Sequence, residues 1–154
     1  AVSLAIFLEN SLITAADVSQ EALAVAEENA QRHQVAHKIK FYKSDLFSQV
    51  EQKKYDVIVS NPPYIPNFQN KTLQREVREH EPSLALYGGD DGMDFYRRII
   101  AKSPDYLSQK GMLCFEVGQG QAAGVRRLME QTFDRLSTIK DLAGIERVVS
   151  GVMK

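Results

Sequence analysis

One cysteine stands in 154 residues, Cys114, so no disulfide framework can staple this chain. It lies in the apolar run Met112-Leu113-Cys114-Phe115, where a buried, inert thiol is expected. The lack of disulfides suits a reducing compartment such as the cytoplasm. The sequence also lacks any apolar stretch near the roughly 20 residues of a membrane span. No charged start followed by an apolar core and cleavage site marks a signal peptide. His33, His37 and His80 share no metal-ligand spacing and read as surface histidines, so no metal is expected. Net charge is -1, and no basic excess points to nucleic acid. Arg126-Arg127 and Lys53-Lys54 are too short to be more than solvated faces.

What the chain does have is an ordinary globular balance, with 44% hydrophobic and 25% charged residues. The length suggests one domain, residues 1–154, with enough chain to bury a core. The first eight residues read as a helix already under way, without a capping residue before it. The expectation is a domain incomplete at its N-terminal end.

Apolar runs rich in β-branched residues alternate with helical patterns. Leu12 to Ala16 reads as a strand ending at Asp17. Ser19 suits a helix N-cap, with Glu21 in the first turn and Ala22, Val25, Ala26 and Ala30 at helical spacing to about Arg32. Lys38 to Tyr42 forms a short strand, followed by Ser44-Asp45-Leu46-Phe47. Tyr55 to Ser60 is a strand with a continuous apolar centre, as in a parallel sheet covered on both faces. It stops at Asn61-Pro62-Pro63, because proline lacks the N–H that a ladder needs.

Residues 64–91 read as irregular and polar, with a helical pattern around Lys71 to Arg78. Gly88-Gly89-Asp90-Asp91-Gly92 is a turn signal. Phe95, Tyr96, Ile99 and Ile100 mark a helix to about Leu107; Tyr96 is expected to pack, and Arg97 to face the loop or solvent. A strand over Met112 to Val117 follows Gly111, then a helix from Gly118 to about Phe133. Gly118-Gln119-Gly120 reads as close strand-to-helix packing rather than a phosphate loop. Strands near Leu136 to Lys140 and Arg147 to Met153 would form an antiparallel edge hairpin. The whole is an α/β domain with a mostly parallel sheet, whose ligands bind beyond the carboxyl ends of its strands.

That places Asp17, Asp45, Asn61 to Tyr64 and Glu116 to Gly118 where chemistry would occur. Asn61 offers one carbonyl acceptor and two N–H donors, and the Pro62 carbonyl is a second acceptor. Pro62 and Pro63 lock φ, so these groups are held. Two adjacent acceptors suit an NH₂ group, each taking one N–H. Tyr64 adds a flat face for a planar amide or base. An amide nitrogen is a poor nucleophile because its lone pair is delocalised. Accepting both its N–H bonds localises that pair and aims it, which is catalysis by orientation and preorganised dipoles.

The tetrapeptide Asn61-Pro62-Pro63-Tyr64 resembles the motif of amino-methyltransferases acting on glutamine, adenine or guanine nitrogens. With Ile65-Pro66, the run His80-Glu81-Pro82-Ser83-Leu84-Ala85-Leu86 and the run Gly88 to Arg97, the chain resembles the HemK/PrmC-type peptide-chain release factor glutamine methyltransferases. The resemblance covers essentially the whole chain and implies the Rossmann-like class I S-adenosylmethionine-dependent methyltransferase fold, truncated at the N-terminus. The family's glycine-rich cofactor loop and small helical N-terminal domain have no counterpart in this sequence.

It implies methyl transfer from S-adenosyl-L-methionine to the glutamine of the release factors' Gly-Gly-Gln motif, in the cytoplasm, with no membrane or metal involved. Asn61, Pro62, Pro63 and Tyr64 would be catalytic. Asp17 would bind the cofactor ribose, Asp45 and Leu46 its adenine, and Asn61 would touch cofactor and substrate. Pro62, Tyr64 and Glu81 would contact the substrate. The bland readings are an N-cap-like Asp17, a surface turn at Asp45 and a loop anchor at Glu81. Glutamine methylation of a ribosomal protein is the nearest alternative. Methylation of a nucleic-acid amino group would usually come with a basic groove, which the balanced charge does not supply. A fold kept only as a binding module is a third alternative.

Overall fold

The computed structural model describes residues 1–68 and 82–154. The helical pattern over Lys71 to Arg78, His80 and Glu81 lie outside the described residues. The chain divides into two compact units, Ala1–Gln52 and Lys53–Lys154.

In the first unit, α1 (Val2–Phe7) precedes β1 (Ile13–Asp17), α2 (Gln20–Arg32) and β2 (Ile39–Lys43). Strands β1 and β2 pair in parallel, from Ile13 opposite Ile39 to Asp17 opposite Lys43. A parallel pair needs a crossover, and α2 supplies it. Its start follows the expected chemistry: Ser19 Oγ accepts the Ala22 N–H at 3.1 Å and donates to Glu21 at 2.8 Å. Glu21 also sits where the helix's free N–H groups favour negative charge, and its carboxyl is held below its ordinary value, first by a backbone hydrogen bond and then by Ser19. Ala5, Ala30, Val35 and Ile39 form the core of this unit.

In the second unit the strand order is β3 (Tyr55–Ser60), β4 (Leu107–Glu116), β6 (Glu146–Met153), β5 (Phe133–Lys140). β3 and β4 are parallel, whereas β4–β6 and β5–β6 are antiparallel. The closing hairpin is therefore present, with its second strand inserted next to β4. Asp141 builds the hairpin turn: its Oδ1 accepts the Ala143 and Ile145 N–H groups at 2.9 and 3.0 Å, and its Oδ2 meets Arg147 at 3.0 Å. Gly144, at φ 80°, supplies the left-handed residue. Among the described residues, helices α3 (Ser83–Leu86), α4 (Asp94–Lys102) and α5 (Ala122–Met129) also belong to this unit. Tyr96, Phe115, Phe133, Leu113 and Val149 are buried, and Tyr96 meets Phe115 edge-on at 5.2 Å between centroids.

Several expectations from the sequence need correction. The helix expected to reach Leu107 stops at Lys102, followed by a 3₁₀ turn over Ser103–Asp105. Pro104 cannot give an interior helical N–H, and Leu107 instead opens β4 opposite Tyr55. That strand starts five residues before Met112 because residues 108–111 form an irregularity between two paired stretches. The next helix ends at Met129, and Phe133, 1% exposed, joins the core as the first residue of β5. β3 is covered on one face only among the described residues, since Val57 and Val59 are 50% and 56% exposed. It is an edge strand of its sheet, so its apolar run does not carry the two-sided burial expected of it. Cys114 is half-buried rather than buried, and that partial desolvation pushes its thiol pKa up, against reactivity.

Candidate active site

Within the first unit, Asp17 is the last residue of β1 and Asp45 lies just beyond the C-terminal end of β2. Both are exposed. Asp17 Oδ1 accepts the Ser19 N–H at 2.8 Å, which bends the chain into α2. The Asp17 carbonyl takes the Ser44 N–H at 2.8 Å, joining the two strand ends.

Ser44, buried to 4% exposure, organises the second turn. Its Oγ donates to the Leu46 carbonyl at 2.9 Å and accepts the Gln49 N–H at 2.9 Å. This turn holds Leu46 at φ 51°, a left-handed conformation that a leucine seldom adopts. Such a residue persists only where its surroundings fix it. Sequence reading passed over Ser44; a short hydroxyl just before an Asp at a strand end was the available signal.

The second unit carries Asn61-Pro62-Pro63-Tyr64. β3 ends at Ser60, paired with Phe115, and the chain leaves the sheet at Asn61. Pro62 is buried, Pro63 and Tyr64 are half-buried, and Asn61 is exposed. Among the described residues the Asn61 side chain makes no hydrogen bond, so its carbonyl and NH₂ are available to a ligand.

The stretch after the prolines is held from two sides. Ile65 forms a parallel bridge with Tyr87, its N–H bonding the Leu86 carbonyl and its carbonyl the Gly88 N–H, both at 2.9 Å. The Asn67 N–H reaches the Gly89 carbonyl at 3.0 Å, and its side chain reaches Asp90 at 3.0 Å. Glycine is required at this contact. A Cβ on Gly88 would lie 2.6 Å from the Pro63 carbonyl oxygen, and one on Gly92 would lie 2.3 Å from that of Tyr64. Gly92 also has φ 74°, outside the ordinary range of other residues. The Gly88–Gly92 turn is thus a buttress for the tetrapeptide.

Arg97 ties that buttress to α4. It pairs with Asp91 through both guanidinium nitrogens and with Asp94 at 3.1 Å. The expectation that Arg97 faces the loop holds. Its guanidinium, with the Met93 N–H second, keeps the Asp91 carboxyl below its ordinary value.

On the other side, Tyr96 lies fully buried and donates to the Glu116 carbonyl at 2.9 Å. Burial, followed by the neighbouring Tyr64, pushes its hydroxyl pKa well up, so it stays a neutral donor. Gly118 meets Tyr64 and Gln121 so closely that a Cβ would lie 2.9 Å from the Tyr64 ring edge and 2.7 Å from Gln121 Oε1. The close packing read for Gly118-Gln119-Gly120 is therefore present at Gly118, against Tyr64 and against Gln121, which sequence reading did not single out, whereas a Cβ on Gly120 would meet nothing within 4 Å. Among the described residues no group of three His, Cys, Asp or Glu could hold a metal. No described helix is long and apolar enough to cross a membrane.

The profile of the methyltransferase small domain family matches residues 1–89. The chain belongs to the methyltransferase small domain family. Among curated proteins, this chain is 40% identical to the release factor glutamine methyltransferase of Bacillus cereus, covering 100% of the chain and 56% of that protein. The Geobacter sulfurreducens protein of the same name is 43% identical, over 98% of the chain and 53% of its own length. A ribosomal protein uL3 glutamine methyltransferase from Francisella tularensis is 41% identical, over 84% of the chain and 41% of its length. The chain spans about half the length of these relatives.

Among solved structures, a Pyrococcus furiosus methyltransferase superposes with a TM-score of 0.72 at 18% identity, over 97% of this chain and 66% of that one. A release factor-specific protein-(glutamine-N5) methyltransferase from Alicyclobacillus acidocaldarius gives 0.51 at 26% identity, over 99% and 89%. The α/β architecture expected from sequence, Rossmann-like and of the class I methyltransferase type, with parallel pairings and an antiparallel C-terminal hairpin, is borne out.

Proposed function

We propose that this chain is part of the catalytic domain of a protein-(glutamine-N5) methyltransferase. It would methylate the glutamine of the Gly-Gly-Gln motif in peptide-chain release factors, in the cytoplasm. The observation that carries the reading is the Asn61–Tyr64 turn: an exposed asparagine side chain with no hydrogen bond among the described residues, followed by prolines and braced by glycine contacts on the next stretch. The names of relatives about 40% identical support the choice of substrate.

The residues fit the roles. S-adenosyl-L-methionine supplies an electrophilic methyl group when bound. The exposed Asp17 carboxylate has about four lone-pair sites, of which Ser19 uses one, leaving capacity for the ribose hydroxyls. Asp45 would accept from the adenine amino group, and Leu46 would pack on the ring. Asn61 would border both cofactor and substrate. Its carbonyl and that of Pro62 accept the two N–H bonds of the substrate amide, while Tyr64 lies against the amide plane. The nitrogen lone pair is thereby turned out of conjugation and aimed. Asn61 and the Pro62 carbonyl would hold the nitrogen aimed at that methyl group, and the nitrogen would give up one proton to water. Pro63 keeps the turn rigid. Glu81, outside the described residues, would contact the substrate or anchor its loop.

The test uses the protein in its natural full-length form with labelled S-adenosylmethionine. Offered release factor, its Gly-Gly-Gln→Gly-Gly-Ala variant, ribosomal protein uL3 and DNA, it should label only intact release factor. Preferred label on uL3 would move the substrate to the ribosome, and label on DNA or on the Ala variant would sink the reading. Asn61→Ala should abolish measurable turnover while leaving cofactor affinity within about threefold, because the loss lies in orienting the nucleophile.

A further inference from the structure

The structure assigns to Gln121 the part of a positioning residue: its side-chain amide ties the Gly118 turn after β4 to the Tyr64 and Gly92 carbonyls, and so fixes the Tyr64 ring. Its Oε1 accepts the Gly118 N–H at 3.0 Å. Its Nε2 donates to the Tyr64 carbonyl at 2.9 Å and approaches that of Gly92 at 3.5 Å. Three separate segments therefore meet on one half-buried side chain: the tetrapeptide, its glycine buttress and the C-terminal end of β4.

The chemistry selects the residue type. The site needs an acceptor and a donor at opposite ends of a neutral group. A carboxylate accepts only, and asparagine is one methylene too short to span both partners. The glycines make the room. A Cβ on Gly92 would lie 2.7 Å from Gln121 Nε2, and one on Gly118 would lie 2.7 Å from its Oε1. The Tyr64 ring edge rests against Gly118 itself. Holding the Tyr64 carbonyl and the Gly118 backbone together thus sets the ring's position from both sides. Gln121 need not touch substrate, cofactor or reacting atoms.

The catalytic meaning rests on the function proposed above, whereas the clasp does not, and the experiment separates them. In the full-length protein, Gln121→Met removes both ends of the clasp, and the isosteric Gln121→Glu keeps the acceptor and removes the donor. Both should lower kcat about 10- to 100-fold, the range expected for sub-ångström to ångström misplacement. KM for the cofactor should stay within about twofold. Backbone amide exchange should show Gly118 protection lost in Gln121→Met and kept in Gln121→Glu, with the Tyr64 ring resonances shifted in both. Unchanged kcat in both variants would overturn the positioning role. Unchanged Gly118 exchange and Tyr64 resonances in Gln121→Met would overturn the clasp itself. A wild type that methylates no glutamine would refute the function instead, and the exchange and ring spectra would still decide the clasp.

Discussion

The two strand-end regions of this protein are built on different principles. In the first unit, Asp17 and the Ser44–Leu46 turn are held by short-range hydrogen bonds, with Ser19, Leu46 and Gln49 as partners, plus one bond between neighbouring strand ends. In the second, the Tyr64 carbonyl is held by Gln121, 57 positions away, and Asn67, just beyond the tetrapeptide, by Asp90, 23 positions away. On the proposed function, local turns suffice for residues that would only present an exposed carboxylate. A turn that would orient a weak nucleophile, as proposed for Asn61–Tyr64, needs its carbonyls and ring fixed from several directions, because small displacements cost rate.

The contrast is open to attack, most strongly at Gly92. Gly92→Ala adds a Cβ 2.3 Å from the Tyr64 carbonyl oxygen at a left-handed φ. Backbone strain and overpacking together should cost about 3 kcal/mol, read as a lower midpoint in urea. A change below about 0.5 kcal/mol would mean that the buttress yields freely.

The next effect is on the cofactor side. Asp17→Asn should weaken S-adenosylmethionine binding about tenfold, by calorimetry on the full-length protein, since one charge-assisted hydrogen-bond acceptor is lost. Folding should change little, because an Asn carbonyl can still accept from Ser19. Equal affinity would leave Asp17 with its helix-entry role alone.

Ser44→Ala should cost about 1 kcal/mol, by urea unfolding, since the Oγ makes two close backbone hydrogen bonds. If the loss exceeded that of Gly92→Ala, the first unit would be the more tightly braced of the two.

The smallest effect is electrostatic. The Asp91 carboxyl is depressed, first by Arg97 and then by the Met93 N–H. The unfolded chain therefore takes up this proton first. The stabilisation is complete above the unfolded carboxylate pKa of about 3.9 and is lost as pH falls through the lower folded value. Asp91→Asn should flatten the acid limb of stability against pH, through a small loss of stability at neutral pH and little change below the folded value. Asp91 is exposed, so an unaltered acid limb would show the pair to be screened by solvent.

Much of this was legible in the residues. Ser19 announced its helix because capping is a local matter of one hydroxyl and one N–H. Tyr55–Ser60 announced its strand, and the prolines its end. Gly88–Gly92 read as a turn, yet its service to the tetrapeptide did not, since the close approach to Pro63 and Tyr64 joins segments more than 20 positions apart. The helix ends near Pro104 and Phe133 were missed for the same reason. Leu107 and Phe133 look helical in sequence, but sheet pairing and core burial claim them.

By itself, then, the sequence determined what is set within a few residues: the alternation of strands and helices, the caps and turns, and the chemical character of Asn-Pro-Pro-Tyr. Tertiary structure decided what depends on distant groups meeting. It left one face of β3 exposed among the described residues, and Cys114 half-buried. It turned a glycine-rich turn into a buttress, and it made Gln121 the group that joins Tyr64 to Gly118. Local propensity fixes which conformations a segment favours, whereas hydrogen-bond satisfaction and close packing between segments exist only once the chain has folded.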